Sequence, residues 1–373
     1  MMKLRIGVAG LGRAFSVMAP AFRDARVALA AGADPRPEAL AKFARDHAAR
    51  THPTVEALCA DPAVDVIYVA TPHHLHAEHT RLACAAGKHV LVEKPMALSL
   101  EDCRAMIAAA SGAGVQLIVG HSHSFDTPVL RARELIRSGV YGALRMITAL
   151  DFTDFVYRPR RPDELAAGAV LNQAAHHVDI ARLLAGSRVR SVRAFTGDWD
   201  AARPTQGAYS VLLGFDSGAC ASLVYSGYAH FDSDEFMGWI GEMGQRKDTS
   251  TYGAARRALA GDERALKEAR NYGGPDFKEP QPITHQHFGP LIVSCDKADL
   301  RPLPTGVMIY ADGERRLDAM LPPKVPRYEV IDELYGAVVE GRAPLHDGEW
   351  AMATLQVCLA MVDSARQQKE ILL

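Results

Sequence analysis

The sequence predicts a doubly wound α/β domain followed by an α+β domain that carries a large, mostly antiparallel open sheet. Between residues 4 and 121, short apolar runs alternate with longer alanine-rich stretches, which is typical of βαβ units and a parallel sheet. After residue 121, β-like runs follow one another mostly without long helices, which favours antiparallel pairing. The length of 373 residues also suits two domains rather than one.

The first domain is predicted over residues 1–121. Its strands are the runs LRIGVAG, RVALAAGAD, VDVIYVATP, KHVLVEKP and VQLIVGH. Helices are predicted at residues 17–25, 37–50, 55–59, 77–86 and 100–113. Ser99 has the acid Asp102 three positions later, as at a helix N-cap, and Gly87 and Gly114 stand where helices end.

The second domain is predicted over residues 122–373. Its strands are expected at residues 144–152, 189–196, 208–215 and 219–225, and its helices at 128–137, 174–185, 330–340 and 350–367. Residues 241–286 form a polar, glycine- and arginine-rich region that is either a long loop with short helices or a lid. An open sheet has a face to cover, so we expect a homo-oligomer, a dimer or a tetramer.

Composition excludes several classes of protein. The formal charge of -2 leaves no positive field for nucleic acid or an anionic membrane, and neither partner is expected. No export signal and no apolar run of the roughly 18 to 20 residues that span a bilayer is visible, so a cytoplasmic location is expected. The six scattered cysteines form no CxxC pair, which argues against a disulfide framework or a thiolate zinc site.

A glycine turn and an acid predict a dinucleotide site. Gly10 and Gly12 follow the first strand, where they give a tight turn and let the backbone approach a pyrophosphate, although Phe15 replaces the third glycine of the motif. Asp34 ends the second strand, where an acid binds the adenosine ribose and repels a 2′-phosphate, which favours NAD. Arg36 is either a second cofactor residue or a solvated loop charge. The predicted residues here are Gly10, Gly12, Arg13, Ala14, Phe15, Asp34 and Arg36.

The third strand ends in a histidine-rich loop, Thr71-Pro72-His73-His74-Leu75-His76-Ala77-Glu78-His79. His76 and His79 have the spacing of a shared helical face, so a metal site is one interpretation. A loop at the carboxyl end of a strand beside a nucleotide crevice is the other, and we prefer it. Thr71, Pro72, His73 and His76 are therefore predicted to line the cofactor, and no metal is predicted.

These residues carry a family resemblance. Gly10-x-Gly12, the strand ending at Asp34, Val69-Ala-Thr-Pro72, and above all AGKHVLVEKP over residues 86–95 resemble the Gfo/Idh/MocA oxidoreductase family. The resemblance covers essentially the whole chain and implies an N-terminal Rossmann domain. It also implies that Lys94 lies beside the nicotinamide and the substrate hydroxyl, that Glu93 approaches the nicotinamide ribose, and that a cis peptide precedes Pro95.

The predicted catalytic residues are Lys94, His176 and Asn172. A lysine can take the proton of an alcohol if its pKa is lowered to about 7 to 8, and Lys94 follows an apolar strand. On one helix, Asn172, His176 and Asp179 would share a face. The family has an aspartate four residues before the histidine; here Asn172 stands instead and cannot ionise. His176 is alternatively a satisfied core histidine, and Asp179 can pair with Arg182.

The predicted substrate residues centre on a cationic loop. Arg158, Arg160 and Arg161 surround two prolines, and guanidinium groups bind carboxylates in pairs of hydrogen bonds, so a dicarboxylate is expected. Alternatively the arginines face solvent or another subunit. Four other candidates are His121, His123, Gln173 and His176, and a metal site of His121, His123, His285 and His287 was the less favoured alternative.

Within the family, four stretches are similar to the phthalate dihydrodiol dehydrogenases of aromatic catabolism: TDFVYRPRRP, NQAAHHVDIARLL, SGYAHFDSDEFMGWIGE and HQHFGPLIVSCDKADLRPLPTG. This resemblance implies NAD-dependent oxidation of cis-4,5-dihydroxycyclohexadiene-1,2-dicarboxylate to 4,5-dihydroxyphthalate. Two alternatives stay open. One is a related dehydrogenase of an inositol, a sugar or a semialdehyde, and the other is a nucleotide-sensing regulator without turnover.

Overall fold

The computed structural model describes residues 2–160, 162–259, 262–279 and 281–373, and for residues 162–164 it describes the backbone alone. The strands are β1 (Leu4–Ala9), β2 (Val27–Ala33), β3 (Arg50–His52), β4 (Val66–Val69), β5 (His89–Val92), β6 (Leu117–Val119), β7 (Leu144–Phe152), β8 (Val189–Gly197), β9 (Ala208–Phe215), β10 (Cys220–Ser226), β11 (Leu291–Cys295), β12 (Ala298–Leu303), β13 (Gly306–Ala311), β14 (Glu314–Ala319) and β15 (Ile371–Leu372).

The helices alternate with the strands in the first third of the chain and are grouped later. They are α1 (Arg13–Met18), α2 (Pro37–His47), α3 (Val55–Cys59), α4 (His76–Ala85), α5 (Leu100–Ala113), α6 (Thr127–Arg137), α7 (Pro162–Asn172), α8 (Ala174–Ala185), α9 (Ala254–Ala258), α10 (Glu263–Ala269), α11 (Tyr328–Val339) and α12 (Gly348–Gln367). Within the described part of the chain, none of them is both long and apolar enough to cross a bilayer.

The chain divides into two compact units. Unit 1 contains residues 1–121, 267–280 and 325–355, and unit 2 contains residues 122–266, 281–324 and 356–373. The predicted division placed everything after residue 121 in the second domain, and it differs from this one in two segments. Each segment is held in unit 1 by specific contacts: the Tyr272 ring lies 5.0 Å from the Phe15 ring, and Arg26 forms a 2.6 Å ion pair with Asp332.

Unit 1 is built on a six-stranded sheet in the order β3-β2-β1-β4-β5-β6. Its neighbouring strands are all parallel. Because helices cover both faces of such a sheet, its central strands are largely apolar, as the burial of Ile6, Val8, Ile67, Val69 and Leu91 shows. The predicted doubly wound domain is confirmed, and the carboxyl ends of β1, β2, β4 and β5 meet at one edge.

Local signals predicted some helix ends and missed others. The N-cap is confirmed, because Ser99 Oγ accepts the amide of Asp102 at 3.0 Å. The helix predicted at residues 17–25 is wrong: α1 ends at Met18 and a 3-10 turn follows, since Pro20 has no N–H for an α-helical hydrogen bond. The second predicted helix ends early at His47, because Ala48 adopts a left-handed conformation with φ 49° and the chain then enters β3.

Unit 2 is built on a nine-stranded sheet in the order β14-β13-β12-β11-β7-β10-β9-β8-β15. Within the described residues its neighbouring strands are antiparallel except β7 and β10, so the predicted open sheet is confirmed. Strands β11 to β15 and helix α7 were not predicted. The described residues of the region 241–286 include the short helices α9 and α10, in agreement with the first of its two interpretations.

Truncating Phe15 tests whether this side chain belongs to the core of unit 1. The ring is fully buried, 5.6 Å from the Phe43 ring and 5.0 Å from the Tyr272 ring. We expect Phe15→Ala to lower the free energy of unfolding by about 3–5 kcal/mol, and Phe15→Leu by less, because the cavity is smaller. Urea unfolding followed by circular dichroism measures both. A Phe15→Ala loss below about 1 kcal/mol would contradict a core role.

Candidate active site

The turn after β1 has the shape that a pyrophosphate requires. Gly10 adopts φ 93°, and a Cβ there would lie 2.8 Å from the carbonyl oxygen of Ala70, so only glycine fits. At Gly12 no described atom beyond the adjoining chain lies within 4 Å of the position a Cβ would take, so the backbone is open to an approaching phosphate. Arg13 and Ala14 begin α1 directly after this opening. The residues present therefore fit a dinucleotide.

The prediction that Phe15 contacts the cofactor is wrong for its side chain, which is fully buried. The ring lies in the core between α2 and residue Tyr272, with no exposed surface. A third glycine in this motif allows the helix to pack closely on the sheet. In this chain an aromatic contact fills that space instead.

Asp34 is fixed at the end of β2 by the glycine turn and by Arg36. Its Oδ2 accepts the amide of Leu11 at 2.8 Å, and its Oδ1 accepts the Nε of Arg36 at 2.9 Å. The Arg36 Nη2 also donates to the Leu11 carbonyl oxygen at 2.8 Å. Arg36 is therefore not a solvated loop charge: its guanidinium bridges Asp34 and the turn, so acid and arginine act as one element.

His76 joins the loop after β4 to the segment after β5. Its Nδ1 lies 2.9 Å from the carbonyl oxygen of Pro95, and its Nε2 lies 3.0 Å from that of Thr71. Burial lowers the pKa of His76 to about 4, so at neutral pH the ring carries one N–H, which it donates to one of these carbonyls. Both nitrogens face backbone oxygen, which leaves neither for a metal. His79 is likewise engaged, with Nδ1 2.9 Å from Thr71 Oγ1.

Glu93 and Lys94 follow β5 at the same edge of the sheet. The hydroxyl of Tyr68 donates to Glu93 Oε1 at 2.5 Å, and burial raises the pKa of Glu93. Lys94 is half-buried, and the Lys94–Pro95 peptide is cis, as the resemblance implied. Unit 1 thus presents Gly10, Gly12, Asp34, Arg36, Thr71, Pro72, His73, His76, Glu93 and Lys94 on the loops at the carboxyl edge of its sheet, and His121 is buried after β6.

In unit 2, Asn172 and His176 do not lie on one continuous helix. Asn172 ends α7, Gln173 interrupts the helical pattern, and the amide of His176 donates to the Gln173 carbonyl oxygen at 3.0 Å. The Gln173 backbone stays in the right-handed helical region, so the shared face of Asn172 and His176 stays a prediction. Asn172, Gln173 and His176 are all buried, and the His176 ring lies 4.8 Å from the Phe288 ring. Asp179 does approach Arg182, with a closest distance of 3.9 Å.

His123 is an ion-paired core histidine, and its prediction as a substrate ligand is corrected. Its Nδ1 lies 2.7 Å from Asp126 Oδ2, and its Nε2 lies 3.3 Å from Glu242 Oε1. Burial opposes its charge, but the two carboxylates outweigh burial and raise the pKa of His123 to about 9. His285 and His287 also use their rings internally, on the carbonyl oxygens of Leu321 and Ile240.

The cationic loop has partners of its own. Arg158 donates through Nε to Asp154 at 2.9 Å and through Nη2 to Thr153 Oγ1 at 2.6 Å, with 38% of its side chain exposed. The guanidinium carbon of Arg160 lies 3.7 Å from the centre of the Phe155 ring. Arg161 lies outside the described residues. The two arginines that the structure describes thus have partners within the chain, and binding of substrate carboxylates by this loop stays a prediction.

Asp151 is a partly buried acid that the sequence prediction missed. It is the last but one residue of β7, on the side of the buried Ile147 and Ala149, and its register partner on β10 is Tyr225. The Tyr225 hydroxyl is buried without a hydrogen-bond partner among the described residues. Ser233 Oγ lies 3.0 Å from Asp151 Oδ1. An acid continuing a buried i, i+2 pattern was the signal that could have revealed it.

Comparison with known proteins identifies the family. Residues 4–121 match the model of an oxidoreductase family with an NAD-binding Rossmann fold, and residues 129–245 match the GFO/IDH/MocA C-terminal domain. The chain belongs to the Gfo/Idh/MocA oxidoreductase family. Its unit 1 carries the family's NAD-binding Rossmann fold, and the chain is an enzyme of the dehydrogenase type.

Three proteins match this family member over nearly the whole length of both chains. The 1-carboxy-3-chloro-3,4-dihydroxycyclohexa-1,5-diene dehydrogenase of Comamonas testosteroni is 48% identical and covers 98% of this chain and 96% of its own. A crystal structure of a protein from Bordetella bronchiseptica RB50, described as a dehydrogenase, is 38% identical with a TM-score of 0.95 and full coverage of both chains. A Bordetella pertussis dehydrogenase in complex with NADH and UDP-GlcNAcA, 22% identical with a TM-score of 0.73 and full coverage of both chains, shares the fold.

The pH dependence of stability tests the environment of Asp151. Burial and the nearby carboxylates of Glu242 and Asp234 raise the pKa of Asp151 from 3.8 to about 7, although Ser233 and Arg158 oppose the shift. The folded state therefore keeps a proton that the unfolded state releases, and stability falls as pH rises from about 4 to 7. Asp151→Asn removes this loss. As the pH rises from 5 to 7, we expect the free energy of unfolding of the variant to increase by about 2 kcal/mol relative to that of the native protein, as measured by urea unfolding. Parallel pH dependences of the two proteins would contradict this environment.

Proposed function

We propose that this family member oxidises a cis-dihydrodiol of a carboxylated cyclohexadiene, with NAD as the hydride acceptor, to the corresponding catechol carboxylate. The proposed substrate is cis-4,5-dihydroxycyclohexadiene-1,2-dicarboxylate and the product 4,5-dihydroxyphthalate, in phthalate degradation. The observation that supports this most is the full-length similarity, at 48% identity, to a dehydrogenase whose named substrate is a dihydroxycyclohexadiene bearing a carboxyl group. A chlorinated monocarboxylate, as in that name, is the second candidate.

The proposed chemistry needs one base and one hydride acceptor. Lys94 takes the proton of one ring hydroxyl, which lets the carbinol C–H bond break. NAD, when bound, accepts that hydride. The remaining ketone becomes a catechol when the neighbouring ring carbon gives up its proton and the carbonyl oxygen gains one. Aromatisation makes the overall reaction strongly favourable.

Other residues of the chain would hold the reactants. In unit 1 the glycine turn and Asp34 bind the cofactor, and His76 positions Lys94 because it binds the carbonyl of the following residue, Pro95. In unit 2, His176 is proposed to bind the substrate hydroxyl, with Asn172 and Gln173 as neutral hydrogen-bonding groups. An amide at Asn172 cannot move a proton, which leaves acid–base work to Lys94 and His176.

Binding energy away from the reacting carbon would come from the substrate carboxylates. Arg158 is partly exposed, and it donates through Nε to Asp154 and through Nη2 to Thr153. An inositol or a sugar carries no anionic group for this guanidinium. A nucleotide-sensing regulator would have no use for a lysine at the position of Lys94.

We also propose self-association, as a dimer or a tetramer, through the open face of the nine-stranded sheet. Large apolar side chains on its strands are exposed to an extent that an isolated chain seldom shows: Met146 is 44% exposed, Phe195 63%, Leu212 59% and Ile292 41%. A second copy is the partner that such a face would suit.

A screen of alcohols tests the function. We expect NADH absorbance to rise with phthalate cis-dihydrodiol and NAD, and to rise far less with myo-inositol or glucose. The variant Lys94→Ala tests the proposed base. Its turnover should fall at least a hundredfold because the base is missing, while NADH binding, measured by NADH fluorescence, should stay unchanged. Equal rates on inositol and on the dihydrodiol would contradict the proposed substrate.

Replacing Asp34 tests the proposed preference for NAD over NADP. The carboxylate repels a 2′-phosphate and also holds Arg36, so Asp34→Ser should free the guanidinium to bind that phosphate. We expect the ratio of kcat/KM for NAD to that for NADP to fall at least tenfold. The double variant Asp34→Ser with Arg36→Ala should lose the gain with NADP. A native enzyme that prefers NADP would refute the argument.

A further inference from the structure

A cavity of about 240 Å³ lies within unit 2, outside the residues that sequence analysis placed at the reacting atoms. It is bordered by the loops after β7 and β10 and by residues of the region 239–256. Its walls combine aromatic rings with cationic groups: Phe231, Trp239, Tyr252, Arg158, Lys247 and Arg256. Drug-sized pockets run from roughly 300 to 1,000 Å³, so a cavity of this size suits a ligand of one ring.

Two of the three cations in the cavity wall already have acidic partners. Lys247 Nζ lies 2.5 Å from carboxylate oxygens of both Asp232 and Asp234. Arg158 Nε lies 2.9 Å from Asp154 Oδ1. The Arg158–Asp154 pair is neutral, and the two carboxylates beside Lys247 more than balance its positive charge.

Arg256 is different, because it is held in place without being neutralised. Its Nη2 donates to the Tyr228 carbonyl oxygen at 2.6 Å and its Nη1 to that of Ala229 at 3.1 Å. Its guanidinium carbon lies 4.0 Å from the centre of the Tyr157 ring. Among the described residues it forms no ion pair with a carboxylate. The guanidinium is thus ordered in advance and keeps its charge, which favours binding of an anion.

Asp248 is the third acid of the cavity wall, after Asp154 and Asp232. Asp248 is exposed, and its Oδ1 accepts both the amide of Ser250, at 2.9 Å, and the Ser250 hydroxyl, at 2.6 Å. It caps a local 3-10 turn and faces solvent, where water screens its charge. It therefore does not cancel the positive charge of Arg256.

We propose that this cavity is the subsite for the carboxylated end of the ring substrate, and that Arg256 binds its carboxylate. The identity of the ligand rests on the proposed function. The aromatic walls accept the faces of a six-membered ring, and a planar guanidinium matches a planar carboxylate. Arg158 lines the same cavity beside Arg256, so a second carboxylate can meet a second, partly compensated cation. Specificity for a carboxylated ring then comes from region 241–286 as well as from the loop that the sequence indicated.

Direct binding of an inert ring acid tests the subsite without turnover. Phthalate is titrated into the protein by calorimetry, with quenching of Trp239 fluorescence as the second signal. We expect Arg256→Gln to weaken phthalate at least tenfold and Arg256→Lys to restore part of the affinity. Arg257→Gln is the matched control: Arg257 is exposed, follows Arg256 on α9 and does not line the cavity, so affinity should be unchanged. Circular dichroism checks that each variant is folded.

Three results would overturn the subsite. They are equal phthalate affinity of the Arg256→Gln and Arg257→Gln variants, equal binding of the neutral dimethyl ester, and binding of myo-inositol in place of the acid. In turnover, Arg256→Gln should raise KM for the dihydrodiol at least tenfold and leave NADH affinity unchanged. If phthalate binds through Arg256 but no dihydrodiol is oxidised, the proposed function fails and the subsite stands. If the dihydrodiol is oxidised without any effect of Arg256→Gln, the subsite fails alone.

Discussion

The parallel pairing of β1 with β4 is the constraint on which unit 1 depends. These strands are neighbours in the sheet although β2 and β3 separate them in sequence, and their register sets Ala9 beside Val69. The loop that follows each strand therefore begins at the same level, which is why Gly10 lies against the backbone of Ala70. From β1 the sheet extends to one side through β2 and β3, and from β4 it extends to the other side through β5 and β6. The loops after β1 and β4 therefore diverge, and a crevice opens between them. Everything assigned to the cofactor lies on those loops.

Unit 2 obeys a different constraint, the cost of burying charge. Most of its inward ionisable groups are paired, as His123 is with Asp126 and Glu242, because an isolated buried ion is expensive. Two groups depart from this arrangement in opposite ways. Asp151 keeps its proton up to about neutral pH instead of acquiring a cation. Arg256 keeps its charge and is stabilised by carbonyl oxygens and a ring. Groups left in such states are where ligands and protons are most easily exchanged.

Sequence reasoning was strongest where function and local structure use the same residues. The glycine turn, Asp34 and the segment ending in Lys94 combine a motif with a strand end, so both fold and site could be predicted from them. It was weakest where the outcome depends on tertiary contacts. Strand β14 is almost wholly exposed and shows no alternation of burial, so its pairing with β13 left no periodic signal. The interruption at Gln173 is one residue long, and the pairing of Arg36 with Asp34 depends on rotamers rather than on spacing.

The packing of Tyr272 on Phe15 has a practical consequence for dissecting the molecule. Unit 1 is discontinuous along the chain, because residues 267–280 and 325–355 return to it after long excursions. An expression fragment cut after residue 121 would lack both segments. The Phe15 ring would then lose its contact with Tyr272 and become partly exposed to water. Tyr272 would no longer be available to donate to Asp46, a hydrogen bond of 2.7 Å in the intact chain. Isolating the nucleotide-binding unit therefore requires circular permutation or co-expression of fragments rather than simple truncation.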